Sequence, residues 1–314
     1  DDLIQATTQA VDGDLDAALR RIDAIRERHL DALLQIRESP GAVAEPVAEI
    51  ETICRELSAT INSIHVLKEL TPRSRDRVIA CGEKLSVRLL ACAIAREGIN
   101  ALAIDADTFL ETDGNHGEAS PLGVVTNRTI EAALSPLLAA QQTPVVTGFC
   151  GLAPDGTTTT LGRGGSDYTA TLIASALDAD EVTIWTDVDG VFSADPRVVP
   201  DARCVGQLNY REAAELSFYG AKVLHQRTMI PVARQRIPVR TRNSFNPASE
   251  GTLVNDRFTP GSHPIKAISA VTSQALVSIE GKGMSGVPGV AARVFQCLAN
   301  RGISVTMISQ SSSE

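Results

Sequence analysis

Apolar positions recur at helical spacing through the first fifth of the chain. Between residues 3 and 70, Leu15, Leu19, Ile22 and Ile25 form one stripe, and Val47, Ile50, Cys54, Leu57, Ile61 and Ile64 form a second. A three-to-four-residue period is that of an amphipathic helix. The stretch "ESPGAVAEP", residues 38–46, interrupts the pattern with two prolines and a glycine, so it is the break between them. A third helix is predicted over "DRVIACGEKLSVRLLACAIAREG", stopped by Gly98. The period then changes. Short apolar runs that read as strands, "INALAIDA", "PVVTGFCG", "EVTIWTDVDG", "IPVRT" and "GTLV", alternate with helical patterns over 128–141, 166–178, 209–218 and 221–235.

Strands alternating with helices predict an α/β fold with a mostly parallel sheet covered on both faces. Ligands of such sheets gather at the carboxyl ends of the strands, so the loops after Phe149, Thr186 and Thr241 are where chemistry is expected. "NDRFTPGSHP", residues 255–264, is polar and rich in turn formers and marks a domain boundary. Beyond it, "QALVSIEG", a helix over 288–300 and "ISVTMISQ" read as a strand, helix, strand unit. Some 45 residues cannot bury a complete core alone, so this piece reads as part of a small regulatory domain.

Composition narrows the function classes. The 314 residues carry a net charge of −9, with lysine and arginine scattered along the chain. That balance argues against nucleic acid or an anionic membrane as a main partner. No apolar run approaches the ~20 residues needed to span a bilayer. The six cysteines and five histidines are dispersed and show no metal-ligand spacing, so no metal site built by the protein alone is expected. Reduced cysteines and an acidic "DDLIQATTQA" start predict a cytoplasmic protein.

Two stretches carry candidate chemistry. "LGRGGSDYTA", residues 161–170, places three glycines and Arg163 before a helix that begins near Ser166. Exposed backbone N–H groups and a helix's positive end make an anion site; the alternative is a tight turn in which Ser166 and Asp167 simply cap the helix. "IWTDVDGVFSADPR", residues 184–197, ends a strand in Thr186 and Asp187, turns at Asp189-Gly190 and brings Arg197 to the next bend. Acids at a strand end could hold Mg²⁺ or orient a nucleotide, and arginine suits phosphate. A plain turn with a surface ion pair is the alternative for each residue singly.

Four ordered motifs, "CGEKLS" (81–86), "LGRGGSDYTA", "IWTDVDGVFSADPR" and "FYGAKVLH" (218–225), together resemble aspartokinases of the amino acid kinase superfamily. "TDVDGV" alone is shared with glutamate and acetylglutamate kinases, whereas "CGEKLS" and "GAKVLH" narrow the match. The terminal "GKGMSGVPGVAARVFQCLANRGISVTMISQSSSE" resembles a first ACT regulatory domain, most like that of bifunctional aspartokinase/homoserine dehydrogenases. The resemblance implies a three-layer αβα sandwich with a mostly parallel sheet over residues 1–254, followed by a partial α+β ACT-like domain over 265–314. It implies ATP-dependent phosphorylation of L-aspartate to 4-phospho-L-aspartate, the first step toward lysine, threonine and methionine, in a feedback-regulated homo-oligomer.

Carried over residue by residue, the resemblance has Arg163 gripping a carboxylate of aspartate, with Ser166 helping, and Glu83 pairing with the substrate ammonium. Thr186, Asp187, Phe192, Arg197, Lys222 and Val223 are implied for ATP with Mg²⁺. Lys222 and Asp167 are the residues implied in catalysis, Asp167 either ordering a further lysine or only capping its helix. Gln310, with Gly283, Met284 and Ser285 in the loop opposite, is implied in binding an amino-acid inhibitor, threonine. Lys84 reads as structural, paired with a neighbouring acid, and His116 as a solvated loop residue.

Three departures accompany the match. Family chains open on a strand with Lys-Phe-Gly-Gly-Thr-Ser, whose lysine contacts the transferred phosphate, and nothing of the kind occurs here. Either such a segment precedes Asp1 or this polypeptide is not a competent kinase; the first is expected, because losing a central strand leaves backbone groups unpaired. Phe192 replaces an aromatic hydroxyl, and Gln226 replaces a proline after His225. The rival readings are a kinase of glutamate or acetylglutamate and a non-catalytic amino-acid sensor. A dinucleotide fold ranks below both, since no GxGxxG follows a first strand.

Overall fold

A computed structural model describes residues 1–36, 44–218, 225–260, 265–279 and 288–309. It divides into two compact units, residues 1–270 and 271–314.

The first unit begins with α1 (Asp2–Asp12), α2 (Leu15–Ile36), α3 (Ala44–Leu67) and α4 (Pro72–Arg96). The opening stripe is therefore two helices where the sequence pattern predicts one. Gly13 caps α1 with φ 97°, the left-handed conformation that ends helices, and the Asp14 carboxylate then accepts the Ala17 N–H to start α2. Ala6, Ala10 and Ala18 are buried with Ile22, Leu57, Ile61, Ile64, Val78 and Cys81; the small residues let α1 lie close against its neighbours. Ile25, Leu33, Ile50, Cys54, Leu85 and Cys92 extend this core along the bundle.

α4 joins the bundle to the rest of the unit. It starts from a reciprocal cap between Thr71 and Ser74, with Pro72 at its first position. Cys81 and Leu85 face the other helices, whereas Val87 and Ala91 pack on Val145 of β2. β1 (Ala101–Ile104) pairs in parallel with β2 (Thr143–Val146), the crossover being α5 (Val124–Ala139). A short hairpin follows, β3 (Cys150–Leu152) and β4 (Thr158–Thr160), whose second strand the apolar pattern does not reveal.

α6 (Gly165–Ala176) leads into β5 (Val182–Thr186); β6 (Gln207–Asn209), α7 (Tyr210–Phe218), α8 (Gln226–Gln235), β7 (Val239–Asn243) and β8 (Thr252–Asn255) complete the unit. The sheet order is β5-β7-β8-β6, with β5/β7 and β6/β8 parallel and β7/β8 antiparallel. Val182, Ile184, Leu208, Val239 and Val254 line its buried face beneath Ala213, Met229 and Val232 of the helices. α6 packs against β5 across a short connection.

In the second unit α9 (Val290–Ala299) forms as expected, but neither flanking strand does among the described residues. Residues 274–279 and 303–309 share one side-chain hydrogen bond, from Thr306 Oγ1 to Gln274 Oε1, at 3.2 Å, and no ladder. A pair of strands without a covering core is at best marginal in water, and α9 buries no residue.

Candidate functional site

The stretch around Arg163 is built by four elements that meet at one point. β2 ends at Val146, and Gly148 in the following turn lies so close to α6 that a Cβ there would stand 2.9 Å from Ser166 Cβ and Oγ. The Gly148 backbone N–H also faces the Glu83 carboxylate from α4. From the other side, a Cβ on Gly164 would come within 2.7 Å of His225 Cβ, at the start of α8. Glu83, Gly148, Ser166, Gly164 and His225 thus surround the turn that carries Arg163.

That turn leaves the helix end open. Gly164 is the N-cap of α6, with φ 69° and ψ 16°, and no side chain caps the helix. The reading in which Ser166 and Asp167 cap it is not what forms: both lie within its first turn, one and two residues beyond Gly165. An uncapped N-terminus keeps its positive end and its N–H groups available to an anion. Arg163 is exposed and makes no hydrogen bond or ion pair among the described residues.

Two carboxyls here are held away from their ordinary behaviour. Burial pushes Glu83 above the usual carboxylate range, partly opposed by the Gly148 N–H. Burial likewise raises Asp167, opposed by His225. A half-buried acid that meets an open helix end through Gly148 can receive a cationic group of a ligand whose anionic group the helix end receives.

The stability consequence of Glu83 has a definite sign. A carboxyl whose folded pKa lies above its unfolded value contributes stability fully present below the unfolded pKa and lost as pH rises through the folded one. At neutral pH the ionised Glu83 is therefore a cost. Glu83→Gln is expected to raise the thermal midpoint at pH 7, with the gain over wild type shrinking as pH falls through the carboxylate range; thermal melts between pH 7 and pH 4 check it. A gain that grows on acidification overturns this view of the Glu83 environment.

At the nucleotide-like end, Thr186 closes β5, and its Oγ1 donates to Asp187 Oδ1 at 3.2 Å while its carbonyl accepts Ser244 N–H. Asp187 is exposed. Asp189 is engaged, accepting from Asn243 and Asn246 side chains at 2.8 and 3.1 Å. Phe192 is half-buried and bridges to Cys204 across an antiparallel step. Arg197 forms a two-pronged pair with Asp195, Nε to Oδ1 at 3.0 Å and Nη2 to Oδ2 at 2.7 Å, both side chains exposed. Lys222 and Val223 lie outside the described residues, as do Gly283, Met284, Ser285 and Gln310.

A model of the amino acid kinase family matches residues 13–243. The chain belongs to this family. A model of the ACT domain matches residues 277–314. Bifunctional aspartokinase/homoserine dehydrogenase 1 of Zea mays is 34% identical over 304 residues, covering 95% of this chain and 33% of its own. The aspartokinase of Schizosaccharomyces pombe is 36% identical over 262 residues, covering 80% of this chain and 48% of its own. The chain therefore spans about a third of the length of the bifunctional plant relatives it matches. Among solved structures, E. coli aspartokinase III in complex with aspartate and ADP superposes with a TM-score of 0.82 at 30% identity, over 99% of this chain and 68% of that one. The amino acid kinase fold expected from the motifs, a helix-covered and mostly parallel sheet followed by an ACT domain, is the fold this chain has.

Within this family member the structural residues separate from the candidate binding residues. Lys84 is structural, as expected, with its ammonium 2.8 Å from Asp107 and 3.6 Å from Asp105. Arg88 holds Asp105 from the same helix. His116 is not a solvated loop residue: its Nδ1 lies 3.0 Å from Asp76 Oδ2 and its side chain is largely buried. Burial raises the Cys81 thiol to about 12, so it is an inert core group beside the motif it opens. The sequence pattern missed Gly148, His225 and Asp76 as neighbours of the arginine turn.

Proposed function

We propose that the chain is the kinase part of an aspartate kinase, transferring the γ-phosphoryl group of ATP to the side-chain carboxylate of L-aspartate. The observation that carries the reading is the meeting of the half-buried Glu83, through Gly148, with the uncapped start of α6, whose preceding turn carries an Arg163 that has no partner among the described residues. Solved aspartokinase III, similar over nearly the whole chain, is seen with aspartate and ADP.

In this reading Arg163 binds a substrate carboxylate through two parallel N–H donors, Ser166 adds a hydroxyl, and Glu83 accepts the substrate ammonium. A carboxylate oxygen of aspartate forms the new bond to the γ-phosphorus as the bond to the bridging oxygen breaks, leaving ADP and 4-phospho-L-aspartate. Positioning and charge compensation supply most of such a catalysis. The open α6 terminus, Lys222 and Arg197, once released from Asp195, offset the phosphate charge, while Thr186, Asp187, Phe192 and Val223 seat the nucleotide. Asp167 orients the cationic groups beside it.

Among the described residues no group of three or more His, Cys, Asp or Glu could hold a metal. Mg²⁺ does not need one, since it keeps several waters and binds one or two carboxylates together with phosphates. The exposed Asp187 fits that demand, and the ion would supply neutralisation of phosphate charge.

Threonine or another amino acid binding through Gln310 and residues 283–285, a homo-oligomer, and the domain limits 1–254 and 265–314 belong to this proposal; the ACT-domain match supports the regulatory part. Cytoplasmic residence belongs to it too, supported by the six cysteines forming no disulfide. No helix among the described residues is long and apolar enough to cross a membrane.

The test is ADP release by the complete polypeptide with ATP, Mg²⁺ and, in turn, aspartate, glutamate and N-acetylglutamate. Turnover is expected with aspartate only. A preference for either of the others assigns a sister kinase, and no turnover with any of the three favours the sensor.

A further inference from the structure

Asp76 is a carboxylate only 1% exposed, yet it sits in the first turns of α4 and ties down two segments far from it in sequence. Its Oδ1 accepts Thr160 Oγ1 at 2.6 Å, and its Oδ2 accepts the backbone N–H groups of Thr160 at 3.2 Å and Gly117 at 2.9 Å and faces His116 Nδ1 at 3.0 Å. Thr160 is the last residue of β4, three before Arg163. Its carbonyl accepts the Ala119 N–H at 2.9 Å, which closes the link between the two segments. The 115–119 loop then lies against the arginine turn itself: a Cβ on Gly162 would stand 3.3 Å from the Gly117 carbonyl oxygen and 3.4 Å from Glu118 Cγ.

Asp76 and Glu83 are seven residues apart on one helix, so they share a face and stand about 10 Å apart along its axis. One carboxylate holds the chain that launches Arg163; the other meets Gly148, which packs against Ser166 just beyond that turn. We infer that Asp76 is a positioning residue for the anion-binding turn: α4 acts as a ruler that sets the separation between Arg163 and Glu83, with His116 and Gly117 clamping the outer side. This rests on the aspartate reading of the site. Truncated or displaced, Arg163 would keep its charge but lose its registry with Glu83, and the loss would fall on the amino-acid substrate.

The experiment compares Asp76→Asn, Thr160→Val and Thr160→Ser in the complete polypeptide. Asp76→Asn is expected to raise KM for aspartate at least tenfold with KM for ATP within twofold. Thr160→Val raises the aspartate KM several-fold, and Thr160→Ser, which keeps the hydroxyl, restores it. Hydrogen exchange reads the tie directly: backbone amides of 115–118 and 161–165 exchange at least tenfold faster in Asp76→Asn and Thr160→Val than in wild type or Thr160→Ser. A parallel rise in both Michaelis constants, or an unaltered aspartate KM in an active Asp76→Asn enzyme, overturns the inference. So does unaltered exchange in Thr160→Val, whether or not the protein phosphorylates aspartate. Faster exchange in a protein whose wild type shows no aspartate turnover supports the tie and sinks only the substrate reading.

Discussion

Arg163→Lys is expected to raise KM for aspartate roughly tenfold to a hundredfold while KM for ATP stays nearly constant. The substitution keeps one positive charge but removes the planar fork that holds a carboxylate by two parallel hydrogen bonds. A charge-assisted hydrogen bond contributes about 1.5–3 kcal/mol, which sets the range. Arg163 has no protein partner among the described residues, so the change leaves nothing unpaired behind and the melting temperature should hold. Steady-state kinetics with each substrate varied in turn decide it. A variant that weakens ATP and spares aspartate would mean that the glycine-rich turn is a nucleotide cradle and that the two subsites have been assigned in reverse.

The second large effect is expected at Gly164. Alanine there meets two penalties: a left-handed φ of 69°, disfavoured for any side chain, and a Cβ only 2.7 Å from His225 Cβ. The backbone term costs about 1–2 kcal/mol, and the contact is with a side-chain stem that cannot rotate away. Relief requires α6 and α8 to part where Arg163 and Ser166 are positioned. Gly164→Ala should lower aspartate-dependent turnover by about a hundredfold or more, because an ångström of misplacement at a reacting centre has that order of effect. The thermal midpoint should fall by only several degrees, on the order of 2–4 °C for each kcal/mol in a unit of this size. Turnover near wild type would show that the close approach to His225 relaxes without moving the turn.

The long helices were legible because their stripes are long, and α4 because Gly98 and the apolar period agree. Gly13 was hidden by a stripe that carries on across it: Ala10 is buried before the break, and Ala18 and Ile22 after it. β4 and β6 escaped for another reason. They are three residues each, too short for an alternation to show, and in β4 the buried positions are the threonines Thr159 and Thr160 rather than apolar residues. In the second unit the apolar runs around 274–279 and 303–309 carry a strand pattern, but among the described residues they form no ladder, and a pattern becomes a strand only where a partner supplies one.

At the site, the turn chemistry of "LGRGGSD" and the strand end at Thr186-Asp187 could be read locally. The contacts that give them their setting could not. Glu83 meets Gly148 from sixty-five positions away, and Asp76 reaches Thr160 across eighty-four. Nothing in the neighbourhood of either residue in sequence announces such a partner. His116 shows the cost: a lone loop histidine reads as solvated until Asp76 is found beneath it.

The packing of α4 has one more consequence, for its azimuth. Cys81 and Leu85 are locked into the helical bundle on one side and Val87 and Ala91 onto β2 on another, so the helix is keyed against turning about its own axis. A side chain ends some 5–6 Å from that axis, and a roll of about 10° would carry Glu83 and Asp76 sideways together by about 1 Å. The three helices before Thr71 carry none of the candidate binding residues, yet they act as an indexing pin for both carboxylates. Underpacking their seam would shift both carboxylates before it unfolded the protein.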